Sequence, residues 1–400
     1  MHETGPRYRE SLPSKANVVI IGAGIVGIAT AFHLGRVGVR SVVVDAGSDI
    51  GSRTTAMSAH CIRAQFSEPD NIAMMAESLD FYENFARECG NDRADISLRQ
   101  QGYLFASTDP ADEPEFRERV AQQHRAGLVD VEFLTGAEVR QRYPWLSEEI
   151  AVATYRARDG WIDSGQAIQA MAAAANAPVH LGVTVEKILV QADEIIGVRT
   201  DLGTISTRVV VLAAGPFSGT LSPEPLPIHL LRRHRVVVAP HPAIPQQGPV
   251  TIDANTGSHW RPHRGGVLAA WAQPESPSEP AWPVPKDEGF TDLILRGEGG
   301  IARLAPFWSS LVPTLRPADI TLTAGQYTVT PDHRPLIGPA PQTGGLFLHT
   351  GYSGHGIMGA PAGARLLAEI ISSTNPAPNP FAPDRFDGIT APPDVERVII

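Results

Sequence analysis

Apolar residues in this 400-residue chain fall into short continuous runs separated by stretches with helical spacing, and that alternation predicts an α/β fold. Val18 to Ile21 reads as a buried strand, a helix follows from about Ile25 to Val37, and the run Ser41–Val44 ends in an acid, Asp45. Between Asn71 and Cys89, apolar positions at Ile72, Met75, Leu79, Phe81, Tyr82 and Phe85 mark an amphipathic helix. Residues 100–106 read as a strand, Glu113–Ala126 as a charged exposed helix, and 131–146 as strand, short helix and a stop at Pro144. A strand and turn then precede a helix from about Ser164 to Ala175. Val179–Val185, Ile188–Thr200 and Ile205–Leu212 follow as strands expected to extend the parallel sheet begun at Val18.

After Pro225 the pattern changes. Arg235–Ala239 and Gly266–Trp271 are β-like runs with no helix between them, which predicts a mainly antiparallel sheet in a second domain. The proline-rich 274–288 reads as a surface loop and Thr291–Trp308 as a helix. Loop, strand, glycine turn and helix occupy 322–373, and the tail beyond Asn375 is expected to wrap the surface. The expected division is a parallel-sheet domain assembled from 15–85, 152–224 and 320–375, a second domain from 86–151 and 225–319, and tails at 1–14 (mobile) and 376–400.

The first turn carries the clearest chemistry. Gly22, Gly24 and Gly27 have G-x-G-x-x-G spacing between a strand and a helix, with Asp45 23 residues beyond Gly22. In a dinucleotide site Gly22 permits the tight turn, Gly24 lets a pyrophosphate approach bare backbone, and Gly27 lets helix and strand pack closely. The helix N-terminus meets the phosphate charge, and the acid accepts ribose hydroxyls. A membrane span over Val18–Leu34 fails, because the stretch is shorter than about 20 residues and holds His33 and several glycines.

Composition narrows the class. With 42% hydrophobic and 19% charged residues the chain is ordinarily globular, and a net charge of −10 argues against a nucleic-acid partner. Two cysteines, Cys61 and Cys89, exclude a disulfide framework and a four-thiolate metal site, and no other metal-ligand spacing or internal repeat occurs. The polar first 15 residues hold no apolar signal segment, so a cytoplasmic location is expected.

Four blocks carry a resemblance: VVIIGAGIVGIATAFHL with Asp45; RDGWIDSGQAIQAMAAAA; VVVLAAGPFSG; and TPDHRPLIGPAP followed by GLFLHTGYSGHGIMGAPAGARLLAEII. Over roughly 15–372 the chain resembles the FAD-dependent amine oxidoreductases of the D-amino-acid oxidase, glycine oxidase and sarcosine oxidase family. The resemblance implies a Rossmann-like FAD-binding domain built from discontinuous segments, joined to a substrate-binding domain. The implied reaction oxidises a C–N bond of an amino acid or a secondary or tertiary amine by hydride transfer to flavin N5, giving an imine. Electrons then pass to oxygen or another acceptor. Implied FAD contacts are Gly22, Ala23, Gly24, Ile25, Val26 and Gly27; Asp45, where the family usually has Glu, and Ala46; and Arg53, Thr54, Ser58, Ala59 and His60 in the following loop. Further contacts are implied at Val185, Ala213, Ala214 and Gly215, and at Gly351, Gly354, His355, Gly356, Ile357 and Met358. The last block read physically agrees: its glycines let backbone approach a flat ring, and a helix N-terminus near Ile357 stabilises negative charge there.

In similar sarcosine oxidases the loop after the acid reads x-R-I-I-R, and the matching stretch is His60-Cys61-Ile62-Arg63. Arg63 therefore aligns with the arginine that binds the substrate carboxylate, for which a guanidinium fork is suited; a surface ion pair or phosphate contact is the alternative. His60 replaces the family's other arginine, and tuning the flavin, transferring a proton and simple packing all stay open for it. The family's flavin-tethering cysteine falls at Gly325 and a histidyl tether near Ser58, so non-covalent FAD is expected, with His60 as the open point. Its second carboxylate-binding base is Met358, its oxygen-activating lysine aligns near Leu268, and glycine oxidase's arginine is Tyr327. Two basic groups are thus expected to be missing, favouring a larger, more apolar or differently charged amine and slow reaction with oxygen. His60, Arg63, Tyr327 and Tyr352 are the catalytic candidates; Arg63, Trp271, Tyr327 and Met358, with His259, are the substrate-pocket candidates. An FAD-dependent 2-hydroxy-acid dehydrogenase acting on a C–O bond, a flavin-bound non-catalytic scaffold and a nicotinamide enzyme are the competing readings, and the sequence assigns no oligomeric state.

Overall fold

A computed structural model describes residues 7–8, 11–272 and 276–387, and its strands sort into two large sheets. The seven-stranded sheet runs in the order Arg7–Tyr8, Pro178–Leu181, Ser41–Asp45, Val18–Ile21, Val210–Leu212, Leu346–Thr350, Leu336–Pro339. Every neighbouring pair is parallel except the last. Its central strands have no exposed residue, as a parallel sheet covered on both faces requires. Ile20, Val43 and Val211 pack under the helices Ile25–Arg36, Ser164–Ala174 and Gly356–Ser372. Val19, Val44 and Leu212 face the other way, and each such buried side chain contributes about 1.5–3 kcal/mol.

What covers that second face corrects the expected sheet. Val185–Gln191, Glu194–Thr200 and Gly203–Ser206 form a separate antiparallel three-stranded sheet, contributing Ile188, Ile195, Val198 and Ile205 to the apolar layer. Ala192 and Asp193, both at positive φ, make a two-residue hairpin turn inside the stretch expected as one strand. Only Pro178–Leu181 and Val210–Leu212 from this region join the parallel sheet.

The eight-stranded sheet runs Ile320–Val329, His229–Val238, Gly266–Trp271, Ser258–His263, Val250–Asp253, Tyr103–Ser107, Val152–Arg156, Glu132–Thr135. It is antiparallel apart from the pair Val250–Asp253 and Tyr103–Ser107. Sheet membership therefore reaches across 152 and 320, where the sequence reading drew boundaries. Two expected helices are broken. Pro69–Glu83 is followed by a short Phe85–Glu88, and the stretch expected as Thr291–Trp308 holds helices Phe290–Arg296 and Phe307–Leu311 around a 3₁₀ turn. The first helix is capped by Gly297, and a Cβ on Gly297 or Gly300 would lie 2.3 Å from Leu293 O or Ile294 O, so the chain folds back tightly on the helix end.

Both tails touch the fold. Arg7–Tyr8 pairs with Pro178–Leu181, and Ile337 N donates to Phe381 O at 2.9 Å. The aspartate of the TPD block, Asp332, is fully buried and accepts from Arg385 Nε at 2.8 Å and Nη2 at 3.0 Å, which clamps the C-terminal segment. The remainder of the expected tails, 1–6, 9–10 and 388–400, lies outside the described residues. Among the described residues no helix is long and apolar enough to cross a membrane, and no group of His, Cys, Asp and Glu could hold a metal ion.

Candidate active site

A cavity of about 630 Å³ lies between the carboxyl ends of the parallel strands and one face of the eight-stranded sheet, the usual place for a ligand in an open α/β sheet. Its first wall is backbone. Gly22 has φ +112°, and a Cβ there would lie 2.3 Å from Ala213 O; one on Gly27 would lie 1.9 Å from Gly22 O. On Gly24 the nearest atom would be Thr55 Oγ1 at 3.5 Å, so of the three this glycine borders open space. Asp45 accepts from Ala23 N through Oδ2 and from Gly47 N through Oδ1, both at 2.6 Å, which aims the carboxylate along the turn. Of the positions expected to contact cofactor, Ala23 and Gly27 do not line the cavity; the first orients Asp45 and the second seats the helix on the turn. The others all line it.

The small-residue loop after Asp45 is pinned to the opposite sheet by two arginines that the sequence reading missed. Arg235 Nη1 donates to Ala56 O at 3.0 Å and to Ser58 O, and Arg261 Nε donates to Ala59 O at 2.9 Å. Arg235 Nη1 also lies 3.3 Å from His60 Nε2, while His60 Nδ1 lies 2.6 Å from Ser164 Oγ. A guanidinium only donates, so Nε2 accepts, and the neutral ring donates from Nδ1 to Ser164. Burial, then Arg261 and Arg235, pull the His60 pKa down to about 3. Both nitrogens are engaged, and burial disfavours the charged ring.

Arg63 is 1% exposed, which rules out a surface ion pair. Its guanidinium carbon lies 3.8 Å from the Phe66 ring centre and 5.4 Å from that of Phe105; Nη2 sits 3.4 Å from His355 Nε2, and Nη1 donates to Gln65 O. Met358, Tyr103, His259 and Tyr327 line the cavity with it. His259 places Nδ1 3.0 Å from Gly257 O, so Nδ1–H donates and Nε2 keeps its lone pair; burial is the main cause that lowers its pKa to about 4. The Tyr327 ring packs on Gly354, where a Cβ would come within 2.4 Å of it, and burial pushes the phenol up. Trp271 gives its indole N–H to Thr256 O at 2.7 Å and offers the cavity only its ring.

Tyr352 lines the cavity, with its hydroxyl directed into the protein. Thr30 Oγ1 donates to Val26 O at 2.8 Å and so accepts from His349 Nδ1 at 2.7 Å, leaving His349 Nε2 to accept from the Tyr352 hydroxyl at 2.7 Å. That hydroxyl is turned into the helix layer and engaged there. The expected shortage of cations also changes. Arg233 lines the cavity with its guanidinium carbon 5.5 Å from the Tyr327 ring centre. Its signal was present, since Arg233 and Arg235 are two apart and share a strand face. Leu268 is buried off the cavity, and among the residues lining it is none of the chain's lysines, Lys15, Lys187 and Lys286. The proline-rich stretch is no remote loop. Gln326 accepts from Ala281 N at 3.2 Å and donates to Glu279 O at 2.6 Å, and Pro280, Trp282 and Val284 line the cavity; residues 274–275 of that stretch lie outside the described residues.

A family model described as FAD dependent oxidoreductase matches residues 17–370. This chain belongs to that family. The oxidoreductase is 28% identical over 407 residues to FAD-dependent oxidoreductase domain-containing protein 1 of Xenopus laevis, covering 90% of this chain and 79% of that one. It is 26% identical over 392 residues to 4-methylaminobutanoate oxidase (formaldehyde-forming) of Paenarthrobacter nicotinovorans, covering 95% of this chain but 46% of the relative. Among solved structures, L-proline dehydrogenase from P. horikoshii matches with a TM-score of 0.81 at 26% identity, over 94% of this oxidoreductase and 98% of that chain. The resemblance read from the four blocks holds, as does FAD as the cofactor. The residues present suit it: open space at Gly24, the carboxylate of Asp45 directed along the turn, and a second glycine turn ahead of the 17-residue helix Gly356–Ser372.

Proposed function

We propose that this oxidoreductase oxidises the C–N bond of an amino acid or of a secondary or tertiary amine that carries a carboxylate, using non-covalently held FAD. The observation that carries this reading is Arg63, a buried cation in the cavity wall beside Tyr327, His259 and Met358. FAD, when bound, supplies a two-electron acceptor for the C–H bond next to nitrogen. Gly22–Gly27, Asp45 and Ala46 would hold its adenosine half, and Gly351–Met358 with Ala213–Gly215 the remainder. Arg63 anchors the carboxylate as a charge-assisted fork, and His259 Nε2 accepts an N–H where the neutral amine, primary or secondary, carries one. Tyr327, Trp271 and Met358 bound the apolar part and exclude water. Gly325 offers no side chain for a tether and both nitrogens of His60 are engaged, so acid precipitation is expected to release FAD into the supernatant. The two free thiols, Cys61 and Cys89, suit a reducing compartment such as the cytoplasm.

An anaerobic panel of N-methyl amino acids, D-amino acids, cyclic imino acids, larger amines and 2-hydroxy acids tests the reading. Carboxylated amines are expected to bleach the flavin absorbance. Bleaching by hydroxy acids alone would transfer the assignment to C–O oxidation, and bleaching by none would favour the scaffold. With no lysine lining the described cavity, slow peroxide formation is expected, and another electron acceptor should outpace oxygen.

A further inference from the structure

One sequence block, Arg156 to Trp161, lies behind the cavity wall and takes no part in the reading above. Asp159 has no exposed surface and accepts from Ala64 N at 3.0 Å, Gln65 Nε2 at 3.2 Å and Arg156 Nη1 at 2.6 Å. Arg156 is itself 1% exposed and bonds Asp130 through Nε at 2.7 Å. Gln65 Nε2 also donates to Tyr103 O at 3.2 Å, and Gln65 O accepts from Arg63 Nη1. A continuous chain of polar contacts thus runs Arg156, Asp159, Gln65, Arg63. On the other flank of Arg63, Cys61–Ile62 pairs antiparallel with Gly160–Trp161, so both sides of this arginine are held by residues 159–161. The turn tolerates no side chain, because a Cβ on Gly160 would lie 1.9 Å from Arg99 O.

Taking a carboxylate and a guanidinium out of water costs several kcal/mol that apolar packing would avoid. Such a pair at this place makes sense if it fixes something that must not move, and what it adjoins is the 64–65 backbone. We propose that Asp159, acting through Gln65, is a positioning residue that orients the Arg63 guanidinium for a carboxylate, and so sets carboxylate affinity without touching the ligand. The inference rests on the proposed role of Arg63.

The test uses flavin-loaded protein and two probes, propionate and the uncharged propionamide, with dissociation constants read from perturbation of the flavin absorbance. Asp159→Asn removes the charge and sets a donor against Gln65 Nε2 or Arg156; Gln65→Met removes the side-chain contact to Asp159 and keeps the backbone carbonyl that accepts from Arg63. Each is expected to weaken propionate roughly 10- to 100-fold, the scale of a misplaced binding group, and to leave propionamide unchanged. Equal weakening of both probes, or a lowered melting temperature with propionate binding intact, would overturn the proposal in favour of a purely structural pair. If Asp159→Asn does not fold, Gln65→Met decides, and unchanged propionate binding in it overturns the proposal. Arg63→Met separates the two levels. If it weakens propionate while the other two do not, the positioning role alone fails; if it leaves propionate unaffected, the carboxylate reading of Arg63 fails and takes this inference with it.

Discussion

The two walls of the cavity are made of different material. One is backbone, contributed by the contiguous stretch Val18–Asp45, with an orienting acid held by N–H groups at 2.6 Å. The other is side chain: Arg233, His259, Trp271 and Tyr327 come from separate strands of one sheet, and Arg63 joins them from the loop after Cys61–Ile62. A backbone wall recognises a group that never changes, and altering it is expected to abolish cofactor binding outright. A side-chain wall is adjustable residue by residue, so changes there should alter which amine is accepted while FAD stays bound.

Gly24→Val should give the largest effect. The new side chain has room in the protein yet fills the space beside the turn, so the variant is expected to fold and to lose FAD affinity by at least about 100-fold, seen as colourless protein with an unaltered circular dichroism spectrum. Gly27→Ala contrasts with it, because its Cβ would strike Gly22 O and the variant should fail to yield folded protein at all. Arg63→Met comes next: flavin content unchanged, and KM for a carboxylated amine raised by about 2–4 kcal/mol, roughly 30- to 1,000-fold. Loss of flavin in that variant would break the distinction between the walls.

Acid should act on both walls at once. His60, His259 and His349 are held neutral, their pKa values pulled down to about 3, 4 and 3 by burial first. In the unfolded chain each titrates near 6.5, so below that pH the unfolded state takes up protons that the folded state refuses. Stability is therefore full above pH 6.5 and declines as pH falls toward 4, by at most about 1.4 kcal/mol per pH unit for each group. The melting temperature is expected to drop between pH 7.5 and 5, and a flat profile would contradict the burial of these rings. The smallest effect belongs to Tyr352→Phe, which removes the donor to His349. It should lower stability by about 1 kcal/mol and leave kcat within twofold, whereas a large fall in kcat would restore a chemical role to that hydroxyl.

Legibility in the sequence followed the same division. The backbone wall was readable because its determinants are local: glycine spacing, a strand, a helix and an acid at fixed offsets. The extra hairpin sheet was read as continuous strand, since two positive-φ residues at Ala192 and Asp193 carry no glycine to announce the turn. The two-residue spacing of Arg233 and Arg235 marks a shared strand face, but nothing local says whether that face meets a cavity or solvent, and the same holds for Arg261. The engagement of the Tyr352 hydroxyl is equally unmarked, since it runs through His349 to Thr30, which a helix remote in the chain supplies. Arg63 was found, but only through a motif, while the residues that hold it lie some 95 positions further on.

Strand Val210–Leu212 sits in the parallel sheet between Val18–Ile21 and Leu346–Thr350. On the ribosome this imposes a schedule. The glycine turn is synthesised first, yet its sheet lacks a flank until the chain has grown past residue 350, so an N-terminal fragment should neither protect its amide protons nor retain flavin. Sequence separations of this size make closure slow, and a nascent chain waits with the face that carries Ile20 and Val211 lacking the helix Gly356–Ser372. Cofactor capture thus waits for the residues past 350, and abundant FAD during expression should raise soluble yield more than FAD added after lysis.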